Sequence, residues 1–428
     1  MRTIAFAALL AALTLATDAA AAPGPPAQAV VDSPAFKAAV AKLDADHDRT
    51  VADIVTLTEI PAPPFKEMAR AQAYLAMLKA HGLTRVEMDP EGNVMGVRPG
   101  AKTKGRGPYV VLAAHLDTVF PEGTNVKVRR EGTKLMAPGI GDDTRSLAVL
   151  LAYLRAMDAA KITTTADILI VGNVGEEGAG DLRGTRYLFN TGKYKGRVSA
   201  FFSMDGNDPS RVVDQGVGSK RYHVVFRGPG GHSYGAFGMV NPMAAMAKAV
   251  VDLYAIKPPT APKTTYSASV TGGGTSVNAI PGEVFMDFDM RSESAAELAK
   301  LDAKLLAILA AAVEGENAAR TTGFGKVSVE AKVIGERPAG ATDAKAAIVT
   351  ATHDAIAALG YTPVHDASST DANVPMSLGV PAVTIGSGGK GGRAHALDEW
   401  IDVEKGASVK GMSVGLAALL TVAGVEKP

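Results

Sequence analysis

Two adjacent glutamates, Glu176 and Glu177, follow an apolar stretch in the sequence IVGNVGEEGAGDLRG, which runs from Ile170 to Gly184. Like charges repel each other, and the repulsion grows where water is excluded. The pair is therefore either solvated in a loop or neutralised by a bound cation. If a metal ion is present, one glutamate can bind it while its neighbour, which must point elsewhere, accepts a proton from a water molecule.

Other polar side chains follow apolar stretches in the same manner. They are His115 and Asp117 in AAHLDTVF, Asp142 and Asp143 in APGIGDDTRS, Asp205 in SMDG, and His395 in GGRAHALDEW. Ligands of an open parallel sheet bind beyond the C-terminal ends of its strands, so we expect these residues to meet at one edge. Taken singly, each motif is better explained as a hydrogen-bonded strand end or a solvated loop, but their conjunction favours a metal site.

Two divalent metal ions that share a bridging carboxylate would neutralise this concentration of negative charge. Imidazole and carboxylate ligands suit Zn²⁺, and Mn²⁺ or Co²⁺ would also fit. The chain has no cysteine, so any metal site must use histidine and carboxylate. We therefore expect two metal ions, with zinc preferred.

Short apolar stretches separated by helical patterns must position these residues. The predicted strands are 109–114, 166–174, 200–204 and 382–386, and the predicted helices are 145–157, 343–359 and 403–422. Apolar strands that alternate with helices predict an α/β fold with a mostly parallel sheet covered by helices.

The middle of the chain has a different pattern. Apolar and polar residues alternate over 284–290 and 326–333, and the predicted order of elements is βαββαβ, with one face of the strands packed on helices. We interpret residues 216–335 as a ferredoxin-like lid or dimerisation domain inserted between two parts of the catalytic domain, 33–215 and 336–428.

The N-terminal residues are typical of an export signal. Arg2, the apolar segment 4–16 and the alanines at 19–22 predict a cleaved signal peptide over 1–22, followed by a proline-rich linker over 23–32. The apolar segment is short for a membrane span, and an uncleaved anchor is the alternative. We expect an exported protein, periplasmic or secreted, without stable membrane association; the absence of cysteine agrees with this.

Composition excludes some classes of partner. The 44 Lys and Arg balance the 44 Asp and Glu, so the formal net charge is zero. Nothing in this balance predicts a nucleic-acid partner or a basic membrane-binding patch.

Seven motifs in order carry a family resemblance: HLDT, GIGDD, GEEG, SMDG, GGHS, GGTSVNAIPGEVFMDFDMR and AH…EW. Together they resemble the dinuclear-zinc exopeptidase and deacylase family, which includes peptidase T, aminoacylase, carboxypeptidase G and succinyl-diaminopimelate desuccinylase. The stretches GEEGAGDLRG and SSTDANVPMSLGVPAVTIG are most similar to the tripeptidase-like branch.

The resemblance implies five metal ligands. His115 and Asp205 would bind one ion, Glu177 and His395 the other, and Asp142 would bridge the two.

The resemblance also implies roles for residues that bind no metal. Glu176 would be the general base, Asp117 would accept a hydrogen bond from the far nitrogen of His115, and Asp143 would be an accessory acceptor. We further interpret Glu399 as an anchor for the loop that carries His395.

The inserted domain would supply the substrate contacts. His232 in GPGGHS resembles the histidine that stabilises the oxyanion, commonly across a dimer, and Arg291 resembles the arginine that pairs with a substrate carboxylate. Asn278 would donate a hydrogen bond nearby. The alternatives are a turn-forming role for His232 and Asn278 and a strand-end ion pair for Arg291.

The chain departs from the family pattern after the aspartate pair. Arg145 and Ser146 stand where the resemblance predicts Lys and Gly. The expected function is hydrolysis of an amide bond in a small peptide by a possible homodimer. The alternatives are deacylation of an N-acyl amino acid and, from another class, an inactive metal-dependent binding protein.

Overall fold

The computed structural model describes residues 26–426 of the 428-residue chain. The signal peptide predicted over 1–22 lies outside the described residues. Part of the predicted linker is instead helical, because Ala27–Asp32 form a helix whose Ala27 and Val30 are buried. Pro26 therefore directly precedes a packed helix.

The helices within residues 26–426 are α1 Ala27–Asp32, α2 Pro34–Ala45, α3 His47–Thr58, α4 Met68–Lys79, α5 Arg145–Ala159, α6 Arg183–Asn190, α7 Pro242–Tyr254, α8 Ala295–Ala319, α9 Ala347–Ala358, α10 Asn373–Ser377 and α11 Lys405–Ala423.

The strands in the same part of the chain are β1 Thr84–Met88, β2 Val94–Arg98, β3 Tyr109–His115, β4 Arg129–Glu131, β5 Lys134–Met136, β6 Asp167–Asn173, β7 Val198–Met204, β8 Arg211–Gly216, β9 Gly218–Arg227, β10 Gly231–His232, β11 Thr264–Gly273, β12 Ala279–Ile280, β13 Glu283–Ser292, β14 Ser328–Arg337, β15 Gly340–Ala341, β16 Val364–Ser368, β17 Ala382–Ile385, β18 Lys390–Gly392 and β19 Trp400–Asp402.

Helices α2, α7 and α8 begin at side chains that cap their first turns. Ser33 Oγ accepts from the Phe36 amide, and Asn241 Oδ1 accepts from the Met243 amide. Ser294 Oγ accepts from the amide of Glu297, which is the spacing of a capping box. The polar residue before each apolar pattern therefore fixes where the helix starts.

The central sheet has the strand order β1-β2-β6-β3-β7-β17-β8-β15, with β16 paired to β8. Its middle strands, β6, β3, β7 and β17, are parallel to one another, whereas β1, β2 and β8 add antiparallel pairs at the two sides. Because the parallel strands end at one edge, the residues that follow them are neighbours. The predicted α/β class with a mostly parallel sheet is confirmed.

Both faces of this sheet are covered by helices. In β3, Val110 and Leu112 lie in the larger core, with α2, α3, α5 and α11. Tyr109 and Val111 point to the opposite face and lie in a second core with α6 and α10. Burial on both faces explains the continuous apolar sequence of the strand.

Four strands between the two parts of the α/β fold form a separate sheet in the order β11-β13-β9-β14. Numbered along the chain within this insertion, the order is 2-3-1-4, and α7 and α8 follow its first and third strands, which is the ferredoxin-like arrangement. Phe226 and Phe288 pack on these helices in a core of their own. The chain leaves the central sheet after β8 and returns to it at β15.

Helix α11 is long and apolar enough to cross a membrane by length and composition. However, 78% of its apolar window is buried inside the protein, against α2 and α9 among other elements. Its apolar sequence is therefore explained by a position in the core.

Candidate metal centre

The candidate metal ligands gather at the C-terminal edge of the parallel strands. His115 is the last residue of β3, Asp205 follows β7, and Glu177 follows β6 within four residues. His395 lies on the loop after β17, and Asp142 lies in the turn before α5. The edge position follows directly from the direction of the four strands.

Asp142 lies between the two histidines. Its Oδ1 is 2.9 Å from Nε2 of His115, and its Oδ2 is 3.1 Å from Nε2 of His395. Nε2 of His395 is also 3.0 Å from Oε1 of Glu177. Each oxygen of one carboxylate thus faces a different imidazole, which is the geometry required of a bridging ligand.

Two overlapping groups of donor atoms could each hold an ion. The ligand atoms of His115, Asp142 and Glu177 lie within 4.8 Å of one another, and so do those of His115, Asp143 and Asp205. Oδ2 of Asp143 accepts a hydrogen bond from the His115 amide at 3.0 Å. Its Oδ1 is buried without a hydrogen-bond partner among the described residues.

Charges at this edge show that the residues fit metal ions. Burial raises the pKa of Asp205 to about 7, and the neighbouring Asp142 adds to the shift. Hydrogen bonds to Asp142 and Glu177 raise the pKa of His395 to about 10. Protons thus supply the positive charge that the acidic cluster requires, and divalent cations bound by imidazole and carboxylate would replace them.

The carboxylate of Asp117 holds the backbone of the two glutamates. It accepts from the amides of Glu176, at 3.0 Å, and Glu177, at 2.8 Å. Nδ1 of His115 is 3.1 Å from the backbone carbonyl of Asp117 but 3.7 Å from its Oδ1. Nδ1 of His115 therefore lies nearer the carbonyl oxygen than the carboxylate of Asp117, and the predicted contact with the carboxylate stays a prediction.

Glu399 ties the loop that carries His395 to the turn that carries Asp142. Its carboxylate accepts from the amides of Gly139 and Gly141, each at 2.7 Å, and of Asp142 at 2.8 Å. Burial raises the pKa of Glu399 to about 7, with Asp142 contributing and the amides opposing the shift. The acidic pair near Trp400 indicated an anchor, but its distant partner could not be assigned from the sequence.

Arg337 is a site residue that the sequence did not reveal. Its Nη1 lies 2.9 Å from Oε1 of Glu176, and both side chains are 6% exposed. Burial raises the pKa of Glu176 well above its ordinary value; Arg337 lowers it and Glu177 raises it further. Arg337 is the last residue of β14, beyond the alternating residues 326–333, so no apolar pattern indicated it.

Asp371 is a second buried group behind the glutamates. It accepts hydrogen bonds from Nδ2 of Asn173 at 2.6 Å and from Oγ1 of Thr185 at 2.5 Å. Its position in the stretch SSTDANVP was the available signal.

Arg145, where the family pattern predicts Lys, lies away from the ligand set. It is 2% exposed, and its Nη1 is 3.5 Å from the carbonyl of Asp402. A Cβ on Gly389 would lie 2.6 Å from Nη2 of Arg145. The guanidinium therefore packs beneath the glycine-rich loop.

The three predicted substrate contacts lie on the inserted domain. His232 is exposed on the β10–β12 ribbon, where its Nδ1 accepts from the amides of Tyr234 and Gly235, and Asn278 precedes the opposite strand. Arg291 is on β13, with Nε 2.8 Å from Asp289. Within residues 26–426 none of the three touches the metal-ligand cluster.

A cavity of about 590 Å³ opens beside Asp205. Asn207, Arg211, Lys390 and Trp400 contribute to its walls. Its position gives the candidate metal centre room for a small ligand of mixed polarity.

The fold and the histidine–carboxylate cluster define a metal-binding hydrolase. The family model described as Peptidase family M20/M25/M40 matches residues 111–421 of the sequence. The chain therefore belongs to this family. It is an enzyme of the peptidase and amidohydrolase class, which acts on amide bonds.

Solved structures share the fold at low sequence identity. The aminopeptidase PepT from Bacillus cereus superposes with a TM-score of 0.71 at 20% identity, covering 88% of this chain and 99% of that chain. The YXEP protein from Bacillus subtilis, described as a dinuclear metal-binding peptidase from the M20 family, has a TM-score of 0.64 at 18% identity, covering 89% and 99%.

A curated relative matches part of the sequence. The putative [LysW]-lysine/[LysW]-ornithine hydrolase from Pyrococcus abyssi is 31% identical over 136 residues, which are 32% of this chain and 36% of that protein. The chain thus spans about a third of the length of this relative.

Proposed function

We propose that this enzyme hydrolyses an amide bond in small peptides at a dinuclear metal site, as a tripeptidase-like exopeptidase. The observation that carries the proposal is Asp142, whose two oxygens face His115 and His395 separately. The similarity in fold to PepT agrees with this activity.

The metal-binding part of the proposal assigns five ligands. His115 and Asp205 would hold one ion, Glu177 and His395 would hold the other, and Asp142 would contribute to both sites. When bound, the ions lower the pKa of a water molecule and polarise the carbonyl of the substrate. Zinc is the ion that best suits this donor set.

Glu176 is proposed as the general base. It accepts a proton from the attacking water and returns the proton to the leaving amine. Its buried carboxylate, whose pKa lies above the ordinary value of a glutamate, suits proton transfer near neutral pH. Asp117 accepts hydrogen bonds from the backbone amides of both glutamates and so fixes the backbone between them. The side chain of the proposed base, Glu176, is thereby kept apart from that of the proposed ligand, Glu177.

The inserted domain is proposed to bind the substrate. Arg291 pairs with the C-terminal carboxylate, Asn278 donates a hydrogen bond, and His232 stabilises the oxyanion. Because His232 is exposed, we propose that domain closure or a homodimer brings it to a site. The side chains of Tyr234 and Phe237, 88% and 85% exposed, support a covered interface next to it.

Export to the periplasm or the medium is a separate proposal, supported by the sequence of residues 1–22. Mass spectrometry of the protein purified from cell fractions tests it. A mature chain that begins near residue 23 is expected, and a full-length chain in the cytosol would contradict export.

The decisive experiment combines metal analysis with a substrate screen. The metal-loaded protein should bind two equivalents and cleave tripeptides. Cleavage of N-acetyl amino acids alone would assign a deacylase, and metal binding without turnover of either would assign a binding protein.

The role of Glu176 is tested with Glu176→Gln. Turnover should fall by about 10²–10⁴-fold while metal content is kept. Glu67→Gln is the matched control, since Glu67 is also buried and pairs with Arg183 at 2.8 Å outside the metal-ligand cluster. Full activity of Glu176→Gln would refute the assignment.

A further inference from the structure

Arg337 contacts Glu176 at two places. Nη1 donates to Oε1 at 2.9 Å, and Nη2 donates to the backbone carbonyl oxygen of the same glutamate. A planar guanidinium that binds both the side chain and the backbone of one residue restricts rotation of that side chain. Among the described residues, Oε2 of Glu176 accepts no hydrogen bond and is left to face water and substrate.

The end of β14 is itself fixed to the loop that carries Glu176. The amide of Glu336 donates to Oδ1 of Asp181 at 2.9 Å, and Arg186 donates to the carbonyl of Glu336. Nη1 of Arg337 also lies 3.3 Å from Oγ of Ser369. The guanidinium is therefore held from several sides and has little freedom to move relative to the glutamate.

Arg337 also connects the glutamate to the inserted sheet. It is the last residue of β14 and lies opposite Ser219 of β9, which in turn lies opposite Arg291 of β13. Residues directly opposite each other point to the same face, and adjacent strands are about 4.8 Å apart. Arg291 is thus about two strand spacings from the residue that touches Glu176.

We propose that Arg337 is a positioning residue that fixes the carboxylate of Glu176 for proton transfer. The inference rests on the proposed role of Glu176 as the general base. Occupation of Oε1 by the guanidinium leaves Oε2 in one orientation, ready to accept the proton of the attacking water. A misplacement of about 1 Å in a catalytic group costs on the order of 100-fold in rate.

The test compares Arg337→Ala and Arg337→Lys with the unaltered enzyme, using a tripeptide substrate. Arg337→Ala should lower kcat by about 100-fold with KM within about threefold and with both metal ions retained. Arg337→Lys should be intermediate, because one ammonium group cannot hold both oxygens. Guanidinium ions added to Arg337→Ala should restore part of kcat, which a purely structural loss would not allow.

The matched control is Arg155→Ala. Arg155 is also 6% exposed and pairs with Asp53 at 2.9 Å, but it contacts none of the catalytic residues. Its variant should lose stability without a loss of kcat.

Three outcomes would overturn the proposal. These are an unchanged kcat in Arg337→Ala, a raised KM with normal kcat, which would make Arg337 a substrate contact, or an equal loss of kcat in Arg155→Ala. If Glu176→Gln retains turnover, the proposed function itself fails. If Glu176→Gln is inactive and Arg337→Ala is active, only the present inference fails.

Discussion

The metal-ligand cluster and the substrate-contact residues differ in how completely one chain assembles them. In the cluster, His115, Asp142 and His395 are already within hydrogen-bond distance, and buried groups hold the loops around them. His232 is exposed, and Arg291 pairs with Asp289 on the same strand. The metal-ligand cluster is thus assembled at the sheet edge within one chain, whereas the proposed substrate contacts would need a second unit to complete a site.

The cause of the difference lies in the strands that carry each set. Buried parallel strands end together, so their C-terminal residues are fixed relative to one another. The inserted sheet packs its helices on one face only, and its other face carries charged pairs such as Arg221 with Asp289. Exposed side chains on that face could meet a substrate or a second chain.

The largest expected effect is on the cluster. Asp142→Ala should abolish turnover and reduce bound metal from two equivalents, because both histidines lose the carboxylate between them. Metal analysis and peptide cleavage measure this. Asp354→Asn, an exposed change outside the cavity beside Asp205, is the control and should keep both properties. Retention of two ions and full turnover by Asp142→Ala would show that this carboxylate is not the bridge.

On the substrate side the effect should be selective. Arg291→Ala should lower kcat/KM by about 10–100-fold for a peptide with a free C-terminal carboxylate, since a charge-assisted hydrogen bond contributes about 1.5–3 kcal/mol. The same peptide with a C-terminal amide should show no such loss. Arg221→Ala is the matched control because Arg221 pairs with the same Asp289. Equal losses for both peptides would remove Arg291 from substrate recognition.

The sequence predicts the cluster better than the groups behind it. His115, Glu177 and Asp205 come directly after apolar strands, so the direction of a parallel sheet is enough to bring them together. Arg337 reaches Glu176 over 161 positions in the chain. Its contact depends on the register of β14, which shifts between Val333 and Gly335, and no local pattern encodes such a shift.

No apolar pattern in the sequence predicts the strands at the sides of the central sheet. β8 reads RVVDQG and β16 reads VHDAS, and both carry polar residues where the middle strands are apolar. Each lies toward the edge and is only partly buried, so the apolar run that marked β3 and β6 is absent. The buried central strands can thus be predicted from apolar segments of the sequence. The strands at the edges form because they pair with neighbouring strands in the folded protein.

Support for the cluster can be tested without changing a ligand. Glu399→Gln should weaken metal binding by about 10–100-fold. The carboxylate accepts hydrogen bonds from three backbone amides, whereas the side-chain NH₂ of glutamine is a donor and would face at least one of these amides. Zinc titration with a competing chelator measures this. Asp398→Asn is the control, since Asp398 is exposed and pairs with Arg393. Equal affinities in the two variants would mean that the Asp142 turn holds its shape alone.

Metal affinity should also depend on pH. The pKa of His395, raised to about 10 by hydrogen bonds to Asp142 and Glu177, means that the metal-free protein carries a proton there at neutral pH. Because imidazolium cannot bind a metal, this proton must leave, and affinity should rise by up to about tenfold per pH unit between pH 6.5 and 9. Calorimetry in buffers of different ionisation enthalpy counts the released proton.

Stability of the metal-free protein should change in the opposite direction. A raised folded-state pKa at His395 contributes stability that is complete below pH 6.5 and is lost as the pH rises through about 10. The raised pKa of Asp205, about 7, acts with the same sign at lower pH. Tm without metal should therefore fall as the pH rises from 7 to 10, while the increase in Tm on adding zinc grows.

His365→Ala, at an exposed histidine paired with Asp214, should leave both slopes unchanged, whereas His395→Ala should flatten them. Equal slopes in all three proteins would place the released proton elsewhere and separate His395 from the cluster.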